Sequence, residues 1–186
     1  MKKLLKILAL VYFSLTFVQC SSNKFDISKG KVGKLTTKTT IQEIDAIFVD
    51  DSLVKILSNG EKGEYNFNDD DKYVVYEKGG KHLLTIVPKE QLDSTSTIKS
   101  IEIFDERFQT KSGLTINSNF QEINANNKIS KVETTFSSAT LFIDELNATI
   151  AIDKEDLGLK EFSTQKVSID QIPDLAKIKS LTIWFN

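Results

Sequence analysis

Apolar and polar residues alternate along much of the chain after residue 30, and two short stretches change to a helical spacing. Ile41, Ile44 and Ile47 recur about one helical turn apart, and Phe120 and Ile123 repeat the start of that spacing. Both stretches are therefore predicted to be short helices. Alternation and β-branched content predict strands elsewhere. These are 31–36, 52–58, 72–77, 81–88 and 97–104, then 110–116, 129–135, 139–143, 148–153 and 177–185.

The chain also contains an internal repeat. Residues 35–46 read LTTKTTIQEIDA, and residues 114–125 read LTINSNFQEINA, with six of the twelve positions identical. Further along, residues 98–104 read IKSIEIF and residues 178–184 read IKSLTIW. The two matches have nearly the same offset along the chain, which predicts a duplication with copies at 31–108 and 109–186.

Each copy reads as a strand, a helix and four further strands, and the short connections favour antiparallel neighbours. Thr40 with Glu43, and Asn119 with Glu122, fit the capping box that begins a helix. The predicted fold class is α+β: a tandem duplication of a strand-helix-four-strand module, with a mostly antiparallel sheet and short helices on one face. A unit of this size buries only about 60% of its unfolded surface, so the copies are expected to share one core.

Residues 1–20 have a different pattern. Lys2 and Lys3 precede a mostly apolar run, 7–18, which is shorter than the roughly 20 residues of a membrane-spanning helix and fits the apolar part of a signal peptide. The run leads to Cys20 and a polar stretch, 21–30, that is predicted to be a flexible tether. The segment resembles the type II signal of bacterial lipoproteins, which is cleaved before a cysteine that becomes lipid-modified.

This resemblance implies lipid attachment at Cys20 and a place in the bacterial cell envelope, at the outer membrane of a Gram-negative cell on its periplasmic or surface side. The alternative is an ordinary secretory signal with an incidental cysteine, which would leave an unpaired thiol in a secreted protein. Acyl chains supply about 0.8 kcal/mol per buried CH₂, so a multiply acylated cysteine attaches a chain to a membrane without a spanning helix.

Composition and charge exclude several classes of protein. The 40% apolar and 27% charged content is that of a globular chain, not of a collagenous or disordered one. The net charge is −2, and removal of residues 1–19 with their three lysines leaves −5, so no nucleic-acid partner is expected. One His and one Cys exclude a disulfide framework and a zinc site made from these residues alone.

Two further resemblances concern the repeated module. The pattern T-x-x-G-L-x-x-x-S-x-F-x-E-I, from Thr110 to Ile123, resembles a module of sigma-E-regulated envelope lipoproteins of unknown function. The tandem arrangement of helix and sheet resembles the β-lactamase-inhibitor-like folds. Neither resemblance implies a catalytic residue.

The residues themselves provide no catalytic constellation either. The only histidine, His82, follows a Gly-Gly turn and reads as a strand residue. Phosphate-binding glycine loops, nucleophile elbows and zinc-protease motifs are missing from the sequence. The carboxylate pairs 50–51 and 144–145 are adjacent in sequence, and neighbours on a strand point to opposite faces. No catalytic residue and no cofactor are predicted.

One segment has the spacing of a calcium-binding loop. Asn66, Asn68 and Asp70 occupy positions 1, 3 and 5, and Glu77 occupies position 12. Position 6 is Asp71, where such loops require glycine, and the residues that follow read as a strand. The prediction is therefore that no metal binds, with these four side chains as the candidate ligands if one does.

Aromatic residues suggest two kinds of contact surface. Tyr65, Phe67, Tyr73 and Tyr76 surround the same segment, so a glycan-binding edge competes with ordinary core packing. Phe104 and Trp184 occupy equivalent positions in the two copies. The helices are expected to cover their face; otherwise the two rings form an exposed pair and a candidate protein interface.

The sequence predicts a lipid-anchored envelope protein that acts as a non-catalytic binding or scaffold module. Its partners would be the membrane, through the N-terminal lipid, and an envelope protein or a glycan. The alternative is a carboxylate-based hydrolase or glycan-processing enzyme whose acidic pair assembles between the two copies.

Overall fold

The computed structural model describes residues 24–58, 70–160 and 164–186. Strands dominate this part of the chain. They are β1 (Asp26–Ser28), β2 (Lys31–Val32), β3 (Leu35–Thr36), β4 (Ser52–Ile56), β5 (Lys72–Tyr76), β6 (His82–Pro88), β7 (Ile98–Ile103), β8 (Gln109–Thr110), β9 (Lys131–Thr134), β10 (Ser138–Ile143), β11 (Ala148–Asp153) and β12 (Ser180–Trp184).

The strands form two sheets. The larger is an eight-stranded antiparallel sheet in the order β4-β5-β6-β7-β12-β11-β10-β9, and the smaller has the order β3-β2-β1-β8. Strands β7 and β12 end the two four-stranded meanders and pair in the middle of the large sheet, with Ile101 opposite Ile183. The large sheet is therefore continuous from one sequence copy to the other.

The predicted α+β class is wrong, because the fold is mostly β. The α-helices among the described residues are α1 (Ile44–Ile47) and α2 (Phe120–Asn126), with 3-10 turns at Ile41–Glu43 and Ile169–Gln171. Helices shorter than about 12 residues are marginal on their own. Each stretch provides only a few inward-facing apolar residues, so it packs as one or two turns and builds no helical layer.

The strand predictions for the large sheet are confirmed at all eight positions, with ends that differ by a few residues. The first predicted strand of each copy differs from the prediction. The predicted strand 31–36 is divided into β2 and β3 by a turn, and the predicted strand 110–116 is reduced to β8. These short pieces, with β1, make the smaller sheet.

One face of the large sheet holds the core. Alternate residues of the central strands, among them Ile101, Ile103, Leu181 and Ile183, are fully buried there. The small sheet and the helices pack on the same face and add Ile27, Val32, Leu35, Ile44, Phe120 and Ile123 to a single cluster. The opposite face of the large sheet is called the outer face below.

Both predicted capping boxes are confirmed. The Asn119 side chain accepts the Glu122 N–H at 3.0 Å, and the Thr40 N–H donates to the Glu43 carboxylate at 2.7 Å. Thr40 also forms an isolated bridge with Thr97, and Asn119 forms the matching bridge with Lys177. Each helix start is thereby held against the chain that enters the last strand of its half.

Part of the predicted tether is folded. Within 21–30, Asp26–Ser28 forms β1, and Ile27 is buried in the core. In the ranges that the structure describes, no helix has the length and apolar content needed to span a membrane.

Candidate functional site

A row of polar side chains crosses the middle of the outer face. Thr85 on β6 lies opposite Glu102 on β7, Glu102 lies opposite Thr182 on β12, and Thr182 lies opposite Thr149 on β11. These four residues are called the polar row. They belong to four adjacent strands, and the core residues on either side of them point to the other face.

Three aromatic rings lie beside the Thr85 end of this row. Tyr76 and His82 are cross-strand partners with ring centroids 5.1 Å apart, and His82 stacks on Phe104 at 3.8 Å. The His82 Nε2 atom is 3.0 Å from the Thr85 hydroxyl. Phe104 remains 43% exposed, so the stack of Tyr76, His82 and Phe104, called the aromatic cluster, is open to a partner.

Trp184 lies near the other end of the polar row. Its indole N–H donates to the Thr149 hydroxyl at 3.0 Å, and Phe142 is the cross-strand partner of Thr149. Phe104 follows the end of β7, whereas Trp184 lies opposite Ser100. The two rings are thus separated by about four residues along the strand pair, roughly 13 Å.

The expectation that the helices cover Phe104 and Trp184 is wrong. The buried residues of α1 and α2 belong to the cluster that contains Ile101 and Ile183, on the opposite face of the sheet. The two rings are not an adjacent pair either. They lie on either side of the polar row, on the outer face.

Glu102 is electrostatically unusual. Its carboxylate is partly buried and makes no hydrogen bond or ion pair with any residue that the structure describes. Burial raises its pKa above the ordinary range, and the charge of Lys72 offsets this only in part. Burial also lowers the pKa of the His82 imidazole. The outer face therefore presents a neutral ring and a carboxylate that has no hydrogen bond or salt bridge among the described residues.

Two of the four candidate calcium ligands, Asp70 and Glu77, are described, and these two lie far apart. Asn66 and Asn68 lie outside the described residues. Asp70 and Glu77 lie just beyond opposite ends of β5, seven positions apart, which is about 23 Å at the rise of a strand. Glu77 binds the Arg107 guanidinium. No group of three potential metal-ligating side chains occurs in the described ranges.

The two described aromatic candidates for a glycan edge, Tyr73 and Tyr76, have different environments. Tyr65 and Phe67 lie outside the described residues, as does the predicted lipid site Cys20. Tyr73 is buried in the core, and Tyr76 belongs to the aromatic cluster. Only Tyr76 of these four is therefore shown to contribute to a surface.

A small pocket of about 80 Å³ lies on the core side, under the N-terminal segment, and is lined by residues including Asp50 and Asp51. Asp51 pairs with Lys24 at 2.9 Å, and Asp50 lies 3.8 Å from Lys78. Both carboxylates of this pair have cationic partners. The two carboxylates therefore serve packing and ion pairing of the chain, not acid–base catalysis.

The sequence singled out Phe104 and Trp184 but predicted that the helices cover their face, and it did not predict the polar row. A signal was present: Glu102 and Thr182 are polar residues at equivalent positions between pairs of core residues. Alternation shows that such residues point away from the core. It does not show that they stand beside each other and beside Thr85 and Thr149.

Comparison with known proteins finds no matching family model and no matching curated protein. Among solved structures, the chain is similar to the crystal structure of the uncharacterized protein yfeY from Escherichia coli. The sequences are 14% identical, and the match has a TM-score of 0.53 and covers 86% of this chain and 99% of that one. This similarity shows the fold alone.

Proposed function

We propose that the protein is a lipid-anchored, non-catalytic binding module of the bacterial cell envelope, and that it binds a partner protein on the outer face. The observation that carries the proposal is the polar row with aromatic residues on both sides. In particular, the Glu102 carboxylate is partly buried there and makes no hydrogen bond or salt bridge with a described residue, so only the nearby charge of Lys72 offsets its burial.

The side chains of this face match what protein interfaces use. Aromatic residues are enriched at interfaces, while charged residues are depleted at their centres. Phe104 and Trp184 provide the large rings, and Glu102 is a single acid between three threonines. A carboxylate in this setting favours a partner that places a cationic or hydrogen-donating group on it.

The anchor in this proposal is the lipid at Cys20. The mature chain carries a net charge of −5, so a basic patch does not account for attachment to anionic headgroups. A Cys20→Ala variant should leave the membrane fraction of expressing cells, whereas a Cys20-containing chain should remain in it. A variant that stays membrane-bound would contradict the lipid attachment.

The partner site is tested with a photo-crosslinking amino acid at Thr182, in the polar row, and at Asn126, which is exposed on α2, on the core side of the large sheet. We expect a protein adduct of defined mass at Thr182 and none at Asn126. The partner is then purified and titrated against this protein. Glu102→Thr, which copies the equivalent Thr182, should weaken its affinity at least tenfold.

Equal crosslinking at both positions, or unchanged affinity of the Glu102→Thr variant, would contradict the assignment of the outer face. An adduct with glycan in place of protein would identify a sugar-binding protein and overturn the choice of partner.

A further inference from the structure

The first described residues of the chain are attached firmly to the folded body. Lys24 Nζ contacts both carboxylate oxygens of Asp51, at 2.9 and 3.1 Å, and the Asp51 side chain is almost fully buried. The Phe25 ring packs edge-on against buried Phe108 at 5.0 Å. The Phe25 carbonyl accepts the Gln109 N–H at 2.9 Å. The chain is therefore held from its fourth residue after Cys20.

A charged network supports these contacts from the other side. The Arg107 guanidinium lies 4.5 Å from the Phe25 ring centroid, a cation–π geometry. The same group donates to both oxygens of Glu77, at 2.9 and 3.0 Å, and to the buried carboxylate of Asp105 at 2.7 Å. Lys81 adds a second cation at 3.1 Å from Asp105. Phe25 is thus enclosed by a core aromatic and a fixed guanidinium.

A glycine allows the chain to approach this closely. The Gly33 N–H donates to the Asp26 carbonyl at 2.8 Å, and Gly33 has a φ of +56°. A Cβ atom at this position would lie 2.3 Å from the Lys24 carbonyl oxygen. Residue 33 must therefore be glycine for the N-terminal segment to lie where it does.

We propose that these contacts orient the molecule on the membrane, with the Lys24 side and exposed Val49 against the bilayer surface. The inference rests on the proposed lipid at Cys20. Lys24 is the fourth residue after Cys20, and four residue steps of extended chain span at most about 14 Å. A folded body of this size has a radius of gyration of about 15 Å, so its diameter is well above that reach.

The segment between Cys20 and Lys24, called the short tether, is therefore too short for the far side of the folded body to face the membrane. Val49 lies between Phe48 and Asp50, which line one pocket with Lys24, and its side chain is 76% exposed. The occupant of this surface is the lipid headgroup region that holds the anchor. Burial of the exposed Val49 side chain in the headgroup region, beside the short acylated tether, is more favourable than its exposure to water.

A remote reference position is available on the same molecule. Phe136, between β9 and β10, is 68% exposed. Strand β5 lies next to the N-terminal contacts. Strand β10 is five strands away from β5 across the large sheet, a distance of about 24 Å. Labels at Val49 and Phe136 therefore compare the side of the body near the anchor with a side far from it.

The experiment uses the full lipidated chain with Val49→Cys or Phe136→Cys, labelled with a small fluorophore. Acylated Cys20 has no free thiol, so the introduced cysteine is the single labelling site. The protein is placed in phosphatidylethanolamine–phosphatidylglycerol vesicles that contain headgroup-nitroxide lipid. We expect quenching at position 49 to be at least threefold stronger than at position 136.

A variant with 20 Gly/Ser residues inserted between Ser22 and Asn23 is the control. A flexible segment of about 24 residues spans roughly 27 Å, so the quenching ratio should fall towards one. Equal quenching at the two positions with the native tether would overturn the orientation. Vesicle flotation is measured first: a chain that fails to float refutes the lipid anchor, whereas one that floats without asymmetric quenching refutes the orientation alone.

Discussion

Asp105 and Glu102 lie close together in sequence, but the fold shifts the pKa of each in the opposite direction. The Asp105 side chain is fully buried and receives hydrogen bonds from the Arg107 side chain and backbone, with Lys81 beside it. Burial alone would raise its pKa, but these donors lower it to about 2. Glu102 has no such donors among the described residues, and burial raises its pKa. One acid therefore stabilises the fold at neutral pH, and the other costs stability there.

Asp105 should make the protein sensitive to acid. Its pKa is lower when folded, so its contribution is complete above about pH 4 and is lost as pH falls towards 2. Between pH 5 and pH 2, we expect the free energy of unfolding to fall by about 2 kcal/mol more in the wild type than in Asp105→Asn. Urea unfolding at several pH values measures this. Parallel pH profiles would contradict it.

Glu102 should show the reverse sign. Its folded pKa is raised, so the folded state loses stability as pH rises through the ordinary carboxyl range. Glu102→Gln should raise the free energy of unfolding at pH 7, by up to about 1 kcal/mol. The gain should disappear at pH 3.5, where the wild-type carboxyl is protonated. A variant that is less stable at pH 7 would show that Glu102 has a structural role.

At the scale of elements, the pairing of β7 with β12 joins the two meanders. Ile101 and Ile183 face each other across this pair, and both are fully buried. The helices contribute much less: α1 has four residues and α2 seven, and their starts depend on capping boxes and on bridges to the sheet. The stability of the fold is therefore concentrated in strand packing.

Truncation at the central pair should accordingly be costly. Ile183→Ala removes buried methyl groups and leaves a cavity in the core, which costs about 2–5 kcal/mol. Ile183→Val, the matched smaller change, should cost about 0.5–1.5 kcal/mol. Urea denaturation of both variants provides the comparison. A loss below 1 kcal/mol for the alanine variant would mean that the two meanders do not depend on each other here.

At the scale of the whole molecule, the two halves are connected twice. The large sheet is continuous through β7 and β12, and β1 from the first half pairs in parallel with β8 at the start of the second. Separation of the halves would expose β7 as an unpaired edge and uncover Ile101 and Ile103. The N-terminal contacts, with Arg107 and Phe108, lie close to the same boundary.

We therefore expect a fragment of residues 24–108 to lack a cooperative unfolding transition on its own. Mixed in equal amounts with residues 109–186, it should recover the strand signal in far-ultraviolet circular dichroism, since the missing pairings then form. The separate fragments measured at the same concentrations are the control. Cooperative unfolding of monomeric 24–108 would show that one copy folds independently.

Local pattern was sufficient to predict several features. Alternation placed the eight strands of the large sheet, and polar residues three positions apart placed both capping boxes. The prediction of a helical layer was wrong because two or three apolar residues at helical spacing do not determine how long the helix is. The strand β1 within the predicted tether was missed, because three residues carry too little periodicity to be recognised.

The sequence by itself determined the repeat, the strand positions and which residues of each strand point inwards, since these follow from side-chain period along one segment. Only the tertiary structure decided that β7 pairs with β12, that Glu102 stands between Thr85 and Thr182, and that Phe25 lies under Arg107. Thr85 and Thr182 are nearly a hundred residues apart in the chain, and Phe25 and Arg107 are more than eighty. Such neighbours arise from strand pairing and burial, which no single segment specifies.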